Sequence, residues 1–207
     1  MDRNQKHLNH IDVINLGSYY TPEVIVELAY SILQKNIKNI KDFSIIDSSC
    51  GYGSFLARNN IAKRLIGADI DQKAISEAKK IIGEVELICQ NSLLNVNRSG
   101  LNVKNDEKII IIGNPPYNDT TSIIRNSIKD TSIQDKIDAD IKTRDLGMSF
   151  LLSYNKLKAD YVCVLHPLSY LIKKANFALL SKFAKNYKLG VLPNVIFCKI
   201  LKFFRLQ

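Results

Sequence analysis

Phe43-Ser44-Ile45-Ile46-Asp47, running straight into Ser48-Ser49-Cys50-Gly51-Tyr52-Gly53-Ser54-Phe55, is the stretch on which the fold turns. Its first half reads as a short apolar strand ending in a carboxylate. Its second half reads as a glycine turn and a helix that starts at Ser54, with Phe55, Leu56 and Ile61 available for packing. Gly51 and Gly53 would let the backbone approach a ligand without a Cβ in the way, and a helix N-terminus there would favour a carboxylate or phosphate. A single G-x-G is weak by itself, because glycine turns also make plain strand-to-helix connections.

The pattern repeats outward from this point. Leu65-Ile66-Gly67-Ala68-Asp69 is a second strand, followed by a helical array of Ala74, Ile75, Ala78 and Ile82. Val85 to Cys89, Ile109 to Ile112 and Tyr161 to Leu165 supply three more strands, the last preceded by a helix over Met148 to Leu157. Upstream, Thr21-Pro22-Glu23 reads as a helix entry with Thr21 as N-cap, and Val24, Leu28 and Ile32 follow at helical spacing to about Gln34. Near-continuous apolar strands alternating with amphipathic helices predict an α/β fold, a doubly wound, mostly parallel sheet covered on both faces. A sixth strand is marked only faintly, near Val191 to Phe197.

A chain of 207 residues with 46% hydrophobic content is long enough for one sizeable core. No apolar run approaches the length of a membrane span, and the polar start from Met1 to His10 lacks a signal-peptide core, so a cytoplasmic protein is expected. Cys50, Cys89, Cys163 and Cys198 are widely spaced and there are three histidines, a pattern that predicts neither a metal site nor a disulfide framework. The net charge of +9 is unevenly placed: from Lys156 onward, ten Lys and Arg face the single acid Asp160. A one-sided basic surface attracts polyanions such as nucleic acid.

In a doubly wound sheet, ligands lie beyond the carboxyl ends of the strands, so polar residues just past each strand are the candidates. Asp69, about twenty residues after the glycine turn, can accept hydrogen bonds from two ribose hydroxyls; Asp71 competes, though it could simply cap the next helix. Asn91 and Ser92 follow the third strand and could bond an adenine edge, which together describes an adenosine-containing cofactor. After the fourth strand comes Asn114-Pro115-Pro116-Tyr117. The prolines splay the carbonyl groups, so the Asn114 side-chain oxygen and the Pro115 carbonyl can both accept from one NH2 group while Tyr117 offers a stacking face. A planar substrate with an exocyclic amine suits that edge, and so does an ordinary Pro-Pro turn. Between Asn118 and Arg144 the chain is rich in Ser, Thr and Asp and reads as a flap.

The order Tyr20-Thr21-Pro22, Asp47 to Phe55, Asp69, Asn91-Ser92-Leu93-Leu94 and Asn114 to Tyr117 resembles the class I S-adenosylmethionine-dependent DNA methyltransferases, specifically the adenine-N6 enzymes of the gamma order. The resemblance covers roughly residues 11 to 172; Asp145 to Phe150 and Leu165-His166-Pro167-Leu168-Ser169-Tyr170 also resemble later motifs of that family. It implies a Rossmann-like sheet, S-adenosylmethionine as cofactor and double-stranded DNA as substrate. Thr21 would contact the methionine end, Asp47, Gly51 and Gly53 would frame the sulfonium region, Asp69 the ribose, and Asn91 with Ser92 the adenine. Asn114, Pro115, Pro116 and Tyr117 would be catalytic, holding a flipped adenine. Family members usually carry Asp where this chain has Asn91, a neutral and weaker acceptor.

The resemblance also implies a restriction-modification setting, with a cognate endonuclease as partner. Seven strands and a separate target-recognition region are the family's pattern. Residues 1–189 are therefore expected to form the catalytic domain and 190–207 an atypical, truncated tail, with the last strands lacking and recognition supplied by a second chain. An inactive fragment or half of a split enzyme is one alternative. Another is a methyltransferase acting on a protein glutamine or an RNA guanine, since those enzymes share the tetrapeptide.

Overall fold

The computed structural model describes residues 21–58, 60–117, 136–166, 181, 187–192 and 195–200, the last two runs as strand backbone. Tyr20, Pro167 to Tyr170, Pro193 and the larger part of the expected flap, 118–135, lie outside the described residues.

The strands are β1 (Ser44–Asp47), β2 (Arg64–Asp69), β3 (Glu86–Cys89), β4 (Ile109–Gly113), β5 (Tyr161–Leu165), β6 (Tyr187–Leu192) and β7 (Val195–Ile200). They form one sheet in the order β3-β2-β1-β4-β5-β7-β6. β1 to β5 are mutually parallel, and β7 runs antiparallel between β5 and β6. The doubly wound, mostly parallel sheet is as expected, but the expectation that its last strands are lacking is corrected. β6 crosses the boundary drawn at residue 190 and pairs from Tyr187↔Ile200 to Leu192↔Val195. Lys188, Gly190 and Lys199 interrupt the apolar runs of this hairpin, which leaves only a weak strand signal.

The four isoleucines of β4 show why near-continuous apolar strands form such a sheet. Successive side chains point to opposite faces. Ile109 and Ile111 join Ile46, Val162 and Val164 on one face, where Met148, Leu151 and Tyr154 of α3 (Leu146–Lys156) cover them. Ile110 and Ile112 join Ile45 and Cys163 on the other, under Val26, Ala29, Tyr30 and Leu33 of α1 (Glu23–Asn36). α2 (Gln72–Ile82) buries Ala74, Ile75, Ala78 and Ile82, the same four residues that its periodicity predicts, and the last three pack with Cys50, Leu56, Leu65 and Leu87.

Three local readings are corrected. α1 starts at Glu23 with Pro22 in the cap position at ψ 145°, so Thr21 sits one residue too early to cap it. Its buried face is also not the Val24–Leu28 stripe, since Val24 is 67% and Leu28 40% exposed. No helix follows the glycine turn at Ser54: Gly53 N donates to Cys50 O and Leu56 N to Gly53 O as successive turns. Asn60, at φ 57°, is in the left-handed region shortly before β2 begins at Arg64.

The amino-terminal edge of the sheet is closed by ion pairs and carbonyl contacts. Arg64 Nη1 lies 3.0 Å from Glu107 Oε1 and its Nη2 2.5 Å from Glu86 Oε2, while Ser44 Oγ donates to Glu107. Arg98 donates to four carbonyls: Leu157 O (2.9 Å), Lys104 O (2.9 Å), Glu107 O (2.6 Å) and Lys158 O (3.0 Å). A planar guanidinium can make this fork and a lysine cannot. Arg98→Lys should therefore cost about 1–3 kcal/mol and lower the thermal midpoint by roughly 2–4 °C for each. An unchanged midpoint in calorimetry would remove Arg98 as the staple of this edge.

Candidate functional site

At the opposite, carboxyl-terminal edge the strand ends gather the residues that the sequence singles out. Asp47 ends β1 with its side chain in the interior, 2% exposed, and its Oδ1 accepts from Ser49 N at 3.1 Å. Burial pushes this carboxyl up to about 8, opposed by the Ser49 bond and assisted by the Asp69 charge. β4 ends alongside at Gly113, whose φ is +149°; a Cβ there would lie 2.6 Å from Asp47 Oδ1. Only glycine allows this strand to close on the carboxylate.

Asp69 ends β2, and two backbone donors hold it: Gly51 N on Oδ2 at 2.8 Å and Asp71 N on Oδ1 at 2.9 Å. Burial raises this carboxyl as well. The structure thus ties the glycine turn to Asp69 directly. Asp71 instead caps α2 by accepting from Lys73 N at 2.8 Å. Gly53 needs glycine for its φ of +77°, and a Cβ on it would also meet Ile82 Cδ1 of α2 at 2.6 Å.

After β4, Pro115 is buried and Asn114, Pro116 and Tyr117 are half-buried. Asn114 Nδ2 donates to Thr21 Oγ1 at 3.4 Å, so the start of α1 meets the tetrapeptide. The ring of Tyr117 lies 6.4 Å from that of His166, tilted by 46°. His166 follows β5, is 3% exposed, and is held neutral because burial lowers its pKa to about 3.

After β3, Asn91 Oδ1 accepts from Leu93 N at 3.0 Å and Asn91 Nδ2 donates to the Lys136 carbonyl at 2.7 Å. Three buried side-chain atoms along this edge have no hydrogen-bond partner among the described residues: Ser49 Oγ, Ser92 Oγ and Asn114 Oδ1. They follow β1, β3 and β4. Buried polar atoms are nearly always bonded, so a row of them on one edge marks where a polar ligand completes the site. With the buried acids Asp47 and Asp69 on the same edge, these oxygens fit a polar ligand that supplies hydrogen-bond donors.

The structure therefore brings together Thr21, Asp47, Gly51, Asp69, Asn91, Ser92 and Asn114 to Tyr117. Ser49 and Gly113 went unnoticed in the sequence, although a glycine closing an isoleucine run is a recognised mark of close backbone approach. Among the described residues no group of three or more His, Cys, Asp or Glu could hold a metal ion, and no helix is long and apolar enough to cross a membrane.

The sequence description of the N-6 DNA methylase family matches residues 9–182 of the chain. No curated protein sequence matches it. Among solved structures, the chain is similar to a candidate class I S-adenosylmethionine-dependent methyltransferase of Listeria monocytogenes, with a TM-score of 0.62 at 17% identity over 87% of this chain and 60% of that one. It is also similar to the methyltransferase subunit of a type I restriction-modification system from Streptococcus thermophilus (TM-score 0.60, 16% identity, 89% of this chain and 45% of that one). A candidate RNA methyltransferase from Pyrococcus horikoshii gives 0.57 at 14% identity, over 90% and 89%. These likenesses are of fold, and the chain spans 60% of the Listeria protein and under half of the Streptococcus subunit.

The buried acid at Asp47 sets a pH dependence with a definite sign. Its pKa rises from 3.8 to about 8 on folding, so the folded state binds more protons between those values and stability falls as pH rises through them. His166, lowered from 6.5 to about 3, acts oppositely but only below its unfolded value. Asp47→Asn should therefore flatten the decline in stability between about pH 6.5 and 8.5, measured by urea unfolding of both proteins at each pH. Equal slopes would show that Asp47 is not a protonated buried acid.

Proposed function

The chain belongs to the N-6 DNA methylase family, and from that premise we propose that it transfers the methyl group of S-adenosylmethionine to the N6 amine of an adenine in double-stranded DNA. The observation that carries this reading is Asn114 Oδ1. It is a buried acceptor with no partner among the described residues, at the end of β4, on an amide whose nitrogen is taken up by Thr21. An exocyclic NH2 group supplies the donor that such an atom needs.

The strand ends fit the cofactor. Asp69, held by the Gly51 and Asp71 amides, would take the ribose hydroxyls. Asn91 and Ser92 would stand at the adenine edge. Asp47, with Gly51 and Gly53 shaping the turn above it and Thr21 nearby, would complement the positive methionine end; burial favours the neutral acid while the site is empty, and a cation beside it would bring its pKa down and ionise it. When bound, S-adenosylmethionine supplies an electrophilic methyl group.

The protein's part in the chemistry is orientation. The lone pair of an adenine amine is delocalised into the ring, which makes the nitrogen a poor nucleophile. Accepting its two hydrogens on Asn114 Oδ1 and the Pro115 carbonyl draws the lone pair back onto nitrogen and fixes its direction. Pro115 and Pro116 keep those acceptors from relaxing toward each other. Duplex DNA hides this amine, so the base is flipped out and stacks on Tyr117, which His166 backs as a neutral ring. A restriction-modification role belongs to the same proposal, with a cognate endonuclease and a second chain that reads the DNA sequence.

Labelled S-adenosylmethionine offered with duplex DNA, RNA or a release factor, followed by sequencing of modified adenines, tests the substrate. N6-methyladenine in DNA is the expected product; label on a glutamine or a guanine would overturn the reading. Asn114→Ala should lower transfer by about 100-fold or more while S-adenosylhomocysteine binding in calorimetry stays within about twofold. Tyr117→Ala should lose about 1–3 kcal/mol of base capture, seen as weaker 2-aminopurine fluorescence at the target position. Undiminished fluorescence would remove the stacking role.

A further inference from the structure

Asn91 has both ends of its side-chain amide bonded to backbone, and to two distant segments. Oδ1 accepts from Leu93 N, closing the turn after β3, and Nδ2 donates to the Lys136 carbonyl, 45 residues further along. These partners fix the amide's orientation, because a peptide N–H only donates and a carbonyl only accepts. The contact is one of a set. Asp138 N donates to Leu93 O at 2.9 Å, and the Asp138 carboxylate accepts from Asn95 N (2.7 Å), Val96 N (2.9 Å) and Lys156 Nζ (2.8 Å). Ile137 and Ile141 are buried in the core on the α3 side. The run from Lys136 to Ile141 is thus laced to the turn that carries Ser92.

We propose that Asn91 is a positioning residue: it clasps the returning chain at Lys136 to the end of β3, and so leaves the Ser92 hydroxyl as the side chain of the pair that meets the adenine of the ligand. The ligand half of this statement rests on the functional reading above; the clasp does not. A carboxylate in place of Asn91 could still accept from Leu93 N, but it would set an oxygen 2.7 Å from the Lys136 carbonyl oxygen, with no proton between them. Asp is the residue that the family resemblance leads one to expect here, and it would be the stronger acceptor for an adenine amine. In this chain its introduction should weaken ligand binding all the same.

The test compares the wild-type chain with Asn91→Asp, Asn91→Ala and Ser92→Ala, by hydrogen exchange without ligand and by calorimetric titration with S-adenosylhomocysteine. Losing one such hydrogen bond corresponds to an acceleration of roughly twofold to tenfold. Both Asn91 variants should show it at the amides of residues 137–141, and both should bind S-adenosylhomocysteine several-fold more weakly. Ser92→Ala should weaken binding with exchange at 137–141 unchanged. Unaltered exchange in the Asn91 variants, or tighter binding by Asn91→Asp, would overturn the proposal. Should the wild-type chain take up no S-adenosylhomocysteine, the functional reading falls, and the exchange comparison still decides the clasp.

Discussion

Burying the Asp47 carboxyl at the centre of the sheet edge dictates what its neighbours can be. A group 2% exposed keeps its place only if the backbone supplies donors and nothing crowds it, and both conditions are written into the surrounding residues. Ser49 turns its amide back onto Oδ1, which bends the chain into the glycine turn. Gly51 then offers its own amide to Asp69, so the second carboxylate is anchored by the loop that the first one shapes. Gly113 brings β4 against the same carboxyl, and Asn114 leaves the strand from there. The ligand-facing half of the molecule is in this sense one continuous arrangement around a single acid.

The two edges of the sheet treat their polar groups in opposite ways. At the amino-terminal edge Glu107, Arg64, Glu86 and Ser44 satisfy one another, and Arg98 collects four carbonyls. At the carboxyl-terminal edge, Ser49, Ser92 and Asn114 each keep a buried atom without a partner among the described residues, and two carboxyls have raised affinities for protons. The edge proposed to receive the ligand is held in place by the fold at some expense, as sites built to receive ligands generally are.

Much of this could be read from residue order because parallel strands buried on both faces leave strong marks. The isoleucines of β4 and the four buried residues of α2 are such marks, and the polar residues at the ends of β1, β2, β3 and β4 share the edge proposed to bind the ligand. What escaped reading depended on direction rather than on composition. Val24 and Leu28 are apolar but turned outward, because α1 is oriented by Tyr30, whose hydroxyl bonds the Phe55 carbonyl, and by Arg58 pairing with Glu23. The segment after Gly53 has helix-like residues but closes as successive turns, with Leu56 N on Gly53 O and Arg58 N on Leu56 O. The bond from Asn91 to the Lys136 carbonyl could not be read either, because the partner lies far away in sequence. A long-range bond to a carbonyl leaves no local signature.

The antiparallel insertion of β7 between β5 and β6 gives the chain a particular order of events at birth. Cys163 pairs with Phe197, so the partner of β5 leaves the ribosome roughly thirty residues after it. At common synthesis rates that is an interval of about 2–7 s. For those seconds β5 has β4 on one side and an open edge on the other, a template for pairing with any extended strand nearby. β6 emerges first but has no place in the sheet until β7 arrives to separate it from β5. Closure of the sheet is therefore a late and concerted step of nascent-chain folding.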